Sequence, residues 1–239
     1  MPSINWSSFF ISSAVASTVV HFLPCSKNSS APYPVACRFE VFGVGFPKRA
    51  AVVEGARLQQ PDGIRLEDLI PELKGGFTGL LGFNLELSVT QAHADMRDSK
   101  CYVELNIANE LVRFEPKPKL DAITVKHDLI LSDETSSYSV VVVNSGLTMQ
   151  PVALLKPGNT RYRLFPILES QDACDQLQIS PWSVVELGLS DQDLIAGIQN
   201  LATRRIKLGQ VSMELTPDLS AFLVCRDRHN KRLLSVRAL

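Results

Sequence analysis

The chain has 239 residues, a formal net charge of −1, and 45% hydrophobic against 21% charged residues, which excludes an intrinsically disordered chain. A charge this close to zero argues against a nucleic-acid binder that works through overall basicity. The length suits one large β domain or two of about 100–150 residues each.

Residues 9–22 are rich in Phe, Val, Ser and Thr, which favours one or two strands. Ala14-Val15-Ala16 resembles a signal-peptidase site, but no Lys or Arg precedes the apolar run and serines dilute it, so a signal peptide is not expected. No run in the chain approaches the ~18 apolar residues a membrane helix needs, so no membrane span is expected. Val35, Cys37, Phe39 and Val41 then alternate with polar Arg38 and Glu40, a period-two strand signal. Gly43, Gly45 and Pro47 turn the chain into a further extended stretch at residues 50–58.

Residues 61–73 combine a Pro-Asp-Gly turn, Arg65 among apolar residues, and Pro71 inside an apolar knot. That proline lacks an N–H and clashes with the preceding turn, so any helix here is limited to a turn or two. The stretch reads as a crossover between strands, and residues 157–168 repeat it in weakened form. Residues 81–89 give the clearest strand, with Leu81, Phe83, Leu85 and Leu87 on one face. Past a loop holding His93 and Asp95, residues 101–107 and 111–114 form an expected hairpin. Pro116 and Pro118 mark the best linker.

Beyond it, residues 123–131 and 138–143 read as strands, the second (Tyr-Ser-Val-Val-Val-Val) suited to burial on both faces. Asn144-Ser145-Gly146 turns into residues 152–155, and residues 182–187 form another strand. Ser190 with Asp193 is a variant capping box opening the one expected helix, near 190–203. Residues 206–215 follow as a strand with Gly209 as a candidate bulge, and a hairpin around residues 227–231 closes the chain. Basic residues outnumber acidic ones after about residue 203. A basic binding face is one reading, and a solvated edge strand guarded by charge is the simpler one.

The expected fold is mainly all-β: two tandem β-sandwich modules, 1–116 and 120–239, with Greek-key-like crossovers and one short helix in the second. The order of features in the two halves points to an internal duplication. In that alignment residues 35–42 face 138–143, residues 85–88 face 185–190, and residues 99–113 face 220–234. The general look is of tandem immunoglobulin-like or related sandwiches, a class that hosts unrelated functions.

Chemistry-bearing patterns are sparse. His93 and Asp95 lack a partner pair at zinc spacing, as do His21 with Cys25, His127 with Asp128, and His229. No Gly-x-Ser-x-Gly elbow is present, and the glycines at 75–82 enter a strand without a phosphate-binding ending. Five cysteines make an odd count; Cys37, Cys101 and Cys225 sit at core positions, which favours a reducing compartment, while a Cys25–Cys37 bridge is the alternative. Cys174 has acidic neighbours that work against an activated thiol. No catalytic residue, metal site or cofactor is therefore expected. The expected function is non-catalytic protein interaction or assembly, through a protein partner or self-association. Trp182, Arg161 and Arg163 are the candidate binding residues. A hydrolase with a site at the module interface, and a small-ligand or glycan-binding module using Trp182, are the alternatives.

Overall fold

The computed structural model describes residues 3–23, 36–58, 60–75, 77–88, 100–117, 123–131, 136–155, 164–166, 176–189 and 207–239. The described residues are mostly β-strand, in antiparallel sheets, and the chain divides into two compact units, Met1–Lys119 and Leu120–Leu239. The helix expected near 190–203 lies outside the described residues.

In the first unit the strands are β1 (Ser3–Ser12), β2 (Ala16–Leu23), β3 (Ala36–Gly43), β4 (Phe46–Glu54), β5 (Ile64–Arg65), β6 (Gly79–Ser88), β7 (Lys100–Ile107) and β8 (Glu110–Phe114). They form two sheets, in the orders β1-β6-β3-β4 and β5-β2-β7-β8. Consecutive β1 and β2 belong to different sheets, joined by a reversal in which the Ala16 amide donates to the Ser13 carbonyl at 3.2 Å. Period-two alternation puts Leu81, Phe83, Leu85 and Leu87 of β6 and Cys37, Phe39 and Val41 of β3 inside. Aromatic rings then meet from one sheet to the other. Trp6 lies 6.4 Å from Phe22, Phe22 lies 6.3 Å from Phe39, and Phe9 stacks on Phe114 at 5.6 Å. Burying each such ring stabilises the fold by about 1.5–3 kcal/mol. Ala108 (φ 52) and Asn109 (φ 69) turn β7 into β8, the left-handed pair that a two-residue hairpin requires.

The second unit holds β9 (Ile123–Leu131), β10 (Ser136–Asn144), β11 (Gln150–Val152), β12 (Leu154–Leu155), β13 (Leu164–Pro166), β14 (Leu177–Ile179), β15 (Ser183–Leu189), β16 (Lys207–Leu215), β17 (Leu219–Asp227) and β18 (Leu233–Ala238). Its sheets run β13-β15-β10-β17-β18, β12-β16-β9 and β11-β14. Val140, Val141, Val142 and Val143 are all fully buried, so β10 is covered on both faces. Val140 and Val142 share a core with Leu154, Leu187, Met213, Leu215 and Leu223. Two details differ from the sequence reading. The extended stretch near 152–155 is split at Ala153 into strands of different sheets. Gly209 carries no bulge, because β16 pairs with β9 without a break from Lys207 to Leu215; the irregularity falls between Cys225 and Arg226 instead.

The pairing order of the first unit recurs in the second. The order β1-β6-β3 is matched by β9-β16-β12, and β5-β2-β7-β8 by β15-β10-β17-β18, with chain order preserved. This equivalence sets β10 against β2, not against residues 35–42, and sets β6 against β16, not against residues 185–190. The closing hairpins, β7–β8 and β17–β18, fall where sequence similarity aligns them, and residues 157–163 and 167–168 of the second crossover copy lie outside the described residues.

The connection from β4 to β6 shows how the first unit is stitched. A helical turn, α1 (Gly55–Leu58), leads to the Pro61-Asp62-Gly63 reversal. Gly63 has φ 68, and a Cβ there would lie 2.6 Å from Val19 Cγ1 and 2.8 Å from the His21 ring, so only glycine fits. β5 then pairs briefly with β2 before a second helical turn, α2 (Leu66–Leu69), departs and stops ahead of Pro71. Where that ladder ends, the Thr18 amide has lost its backbone acceptor. The Glu67 carboxylate replaces it, with Oε1 accepting the Thr18 N–H at 3.0 Å. Glu67 Oε2 and the Thr18 hydroxyl are buried without hydrogen-bond partners among the described residues. Burial raises the Glu67 carboxyl above the ordinary glutamate value, against the lowering effect of its own and the Thr18 amide. Because the folded value is raised, the stabilisation is present below the unfolded glutamate value and is lost as pH rises through the folded one. Glu67→Gln keeps the acceptor and cannot ionise. It is therefore expected to remove the part of the fall in melting temperature that Glu67 ionisation contributes as pH rises above the ordinary glutamate value, and to match or exceed the parent once the parent's carboxyl is ionised. Glu67→Ala orphans the Thr18 amide and is expected to lose about 1–3 kcal/mol at every pH, as read by denaturant unfolding.

Candidate functional site

The end of β10 organises a cluster of three loops. Its last residue, Asn144, pairs with Ser183 at the start of β15 on one side and Leu219 at the start of β17 on the other. The segments 145–149, 180–182 and 216–218 therefore converge at one end of this sheet. Loops carry backbone groups that no ladder satisfies, and a buried side chain has to serve them. Asn144 is fully buried and does so. Its Nδ2 lies within hydrogen-bond distance of the carbonyls of Thr148 at 2.9 Å, Ile179 at 3.0 Å and Ser180 at 3.0 Å, which share its two protons, and its Oδ1 accepts the Gly146 amide at 3.0 Å. One amide thus ties two loops together. The third is held by Ser145, whose amide and hydroxyl both donate to the Asp218 carbonyl, at 3.0 and 3.2 Å. Gly146 lies against the same residue. A Cβ there would come within 2.5 Å of the Asp218 carboxyl carbon, so a larger residue would have to displace that side chain.

This frame presents apolar side chains to solvent. Leu147 is 79% exposed and Met149 58% exposed. Pro151, two residues on from Met149, and Pro217 of the third loop are exposed, and Pro181 and Trp182 are half-buried. Asp218 is the only charged residue in the three loops. Trp182 has φ 51, a left-handed backbone that a bulky L-residue adopts at a cost of about 1–3 kcal/mol. Ser183 Oγ donates to the Ser180 carbonyl at 2.6 Å and closes that turn. The chemistry on offer is apolar contact with neutral polar neighbours.

Of the residues singled out by sequence, Trp182 belongs to this cluster, in the turn before β15 and not within the strand. Arg161 and Arg163 lie outside the described residues, as do His93, Asp95, Cys25 and Cys174. His21 Nε2 lies 3.6 Å from Glu104 Oε2, which also accepts from Arg113 at 2.6 Å. His229 is exposed at the β17–β18 hairpin tip, where its amide and that of Asn230 donate to Asp227. Those two amides, Asn230 first, hold the Asp227 carboxyl below the ordinary aspartate range. Among the described residues no group of three or more His, Cys, Asp or Glu is placed to hold a metal ion. No described helix is long and apolar enough to cross a membrane. The Cys37 and Cys101 thiols are buried and free, and burial pushes both far above the ordinary thiol range. They are core residues with no thiolate to offer.

Sequence reasoning missed two features. Arg226, counted with the solvated basic residues, is largely buried and forms a two-pronged ion pair with Glu186. Ser139 joins them, donating to Glu186 Oε1 at 2.5 Å and accepting from Arg226 at 3.1 Å. The available signal was a lone acid in the apolar run Val184-Val185-Glu186-Leu187. Both Glu186 oxygens, the Ser139 hydroxyl and both terminal Arg226 nitrogens are engaged within the trio, as a structural ion pair requires. The second is the pair Leu147 and Met149, whose signal was two large apolar residues inside a Ser-Gly-Leu-Thr-Met-Gln loop. No family model matches the chain, and comparison with curated proteins returns no match.

Frame and presented side chains separate under mutation. Asn144→Ala leaves three carbonyls and one amide without their partner and is expected to cost about 2–3 kcal/mol. Leu147→Ser and Met149→Ser are expected to change stability by no more than about 0.5 kcal/mol, because neither side chain packs into the core. Urea unfolding of the three variants checks both expectations.

Proposed function

We propose that the protein is a non-catalytic interaction protein whose second unit docks another protein through the Asn144 loop cluster. The observation that carries this reading is Leu147 and Met149, exposed on a loop fixed by a buried and fully engaged amide. Exposed apolar side chains cost solubility and give the fold nothing, whereas a rigid frame lowers the entropy lost on binding. Methionine adapts its shape to an apolar partner. A strained Trp182 in the adjoining turn fits the same reading, since backbone strain gathers at binding loops. Asp218 is the only titratable side chain in the three loops, so their composition supports contact and not proton transfer. The reading also takes the two units as duplicated β-sandwich modules. The recurring strand order and the ring contacts between the sheets of the first unit support that.

The test uses the full chain as bait and a Leu147→Asp/Met149→Asp variant as control. Proteins retained by the parent are identified, purified, and titrated against both forms by calorimetry. Binding to the variant is expected to weaken by at least about tenfold, with melting temperature unchanged. Equal binding by both forms, or no purified protein that binds the parent, overturns the reading.

A further inference from the structure

The terminal strand β4 carries a second surface, in the first unit and independent of the loop cluster. Among the described residues no strand lies beyond β4 in the order β1-β6-β3-β4. Its outer backbone groups are therefore a template for another strand. Natural edges are blunted by proline and charge, and the start of β4 has both, in Pro47, Lys48 and Arg49. Its second half does not: Ala50-Ala51-Val52-Val53 is uncharged, and Val52 is 64% exposed. Register with β3 sorts the side chains. Val53 faces Cys37 and is buried, while Lys48, Ala50, Val52 and Glu54 share the opposite face.

We infer that two copies of this chain pair antiparallel through β4, about a two-fold axis at Ala51. Charge complementarity selects both the occupant and the register. With Ala51 opposite Ala51, Lys48 of each copy stands across from Glu54 of the other, and Ala50 stands across from Val52. Moving the axis to Ala50 sets Lys48 opposite Val52 and Glu54 opposite Phe46. Moving it to Val52 sets Glu54 opposite Ala50 and Lys48 opposite Ala56. In neither register do opposite charges meet. Lys48 already reaches Glu40 at 3.0 Å, but Glu40 also takes Arg38 at 3.2 Å and keeps a counter-charge if Lys48 is shared. Pairing would make one sheet of eight strands from two sets of four, β1-β6-β3-β4 and its mate. It removes the exposed edge and sets Ala50 of the mate beside Val52. An isologous contact of this kind closes on itself and stops at a dimer.

Sedimentation equilibrium of the full chain tests the inference. The parent is expected to show a reversible monomer–dimer equilibrium. Lys48→Glu alone puts acids opposite acids, and Glu54→Lys alone puts lysines opposite lysines; each is expected to weaken the dimer by at least about tenfold. Mixing these two variants is expected to restore dimers, because every Glu contributed by one then has a Lys of the other across from it. Val52→Lys, with melting temperature checked, is expected to give monomer. A parent that stays monomeric, single variants that dimerise like the parent, or a mixture that stays monomeric overturns it. Dimer loss in Leu147→Asp/Met149→Asp with the β4 residues intact moves self-association to the loop cluster and overturns it also.

Discussion

Strands that keep changing sheets leave backbone groups without a ladder partner, and in this chain side chains take over where the ladder stops. Glu67 accepts the Thr18 amide after β5 turns away from β2. Asn144 serves three carbonyls and an amide where β10 ends. Asp227 accepts two amides at the tip of the last hairpin. Each is a carboxylate or amide close to the reversal it stabilises, and the short reach of Asn and Asp suits them to such places. A buried backbone group left unserved costs about 1–3 kcal/mol, a sizeable share of the stability of a domain. The many reversals of this fold depend on these few residues.

How legible this was depends on the period of the signal. Strands with one buried face alternate in sequence, so β3 and β6 could be read from residue order alone. The β7–β8 hairpin was equally plain. The Asn144 cluster could not be read, because its members come from three loops that only the pairing of β10 with β15 and β17 brings together. Arg226 illustrates the same limit. Its sequence neighbours are polar, and only the strand two places across in the sheet supplies Glu186. The repeat is visible in the sequence but out of alignment, since apolar strands resemble one another by composition. Tyr138 to Val143 looks like residues 35–42, yet its neighbours in the sheet make it the counterpart of β2.

The two units keep a common strand order and differ in what surrounds it. In the first, β4 extends the β1-β6-β3 sheet, and among the described residues the second has no strand beyond β12 in the matching sheet. In the second, β11 and β14 pair with each other next to the Asn144 cluster, an addition without a described counterpart in the first. One proposed surface lies on β4 and the other on the loop that leads into β11. A shared frame conserves the core and its costs, and a unit acquires a new contact most cheaply by lengthening an edge or a loop.

The same division explains why buried polar groups are so unequally treated. Glu186, Arg226 and Ser139 engage one another on the face of β10 away from the Val140 core, and removing Glu186 or Arg226 would strand the other's charge. Glu67 is left with one oxygen unserved, and burial shifts it toward the neutral form instead. Arginine's planar fork engages both Glu186 oxygens at once; Thr18 offers Glu67 a single amide, and burial there disfavours the charged form. Neither arrangement points a reactive group at solvent. What faces outward at the loop end is mainly hydrocarbon framed by fixed backbone, and along β4 it is Ala50 and Val52 between Lys48 and Glu54; the two proposed contacts rest on these side chains.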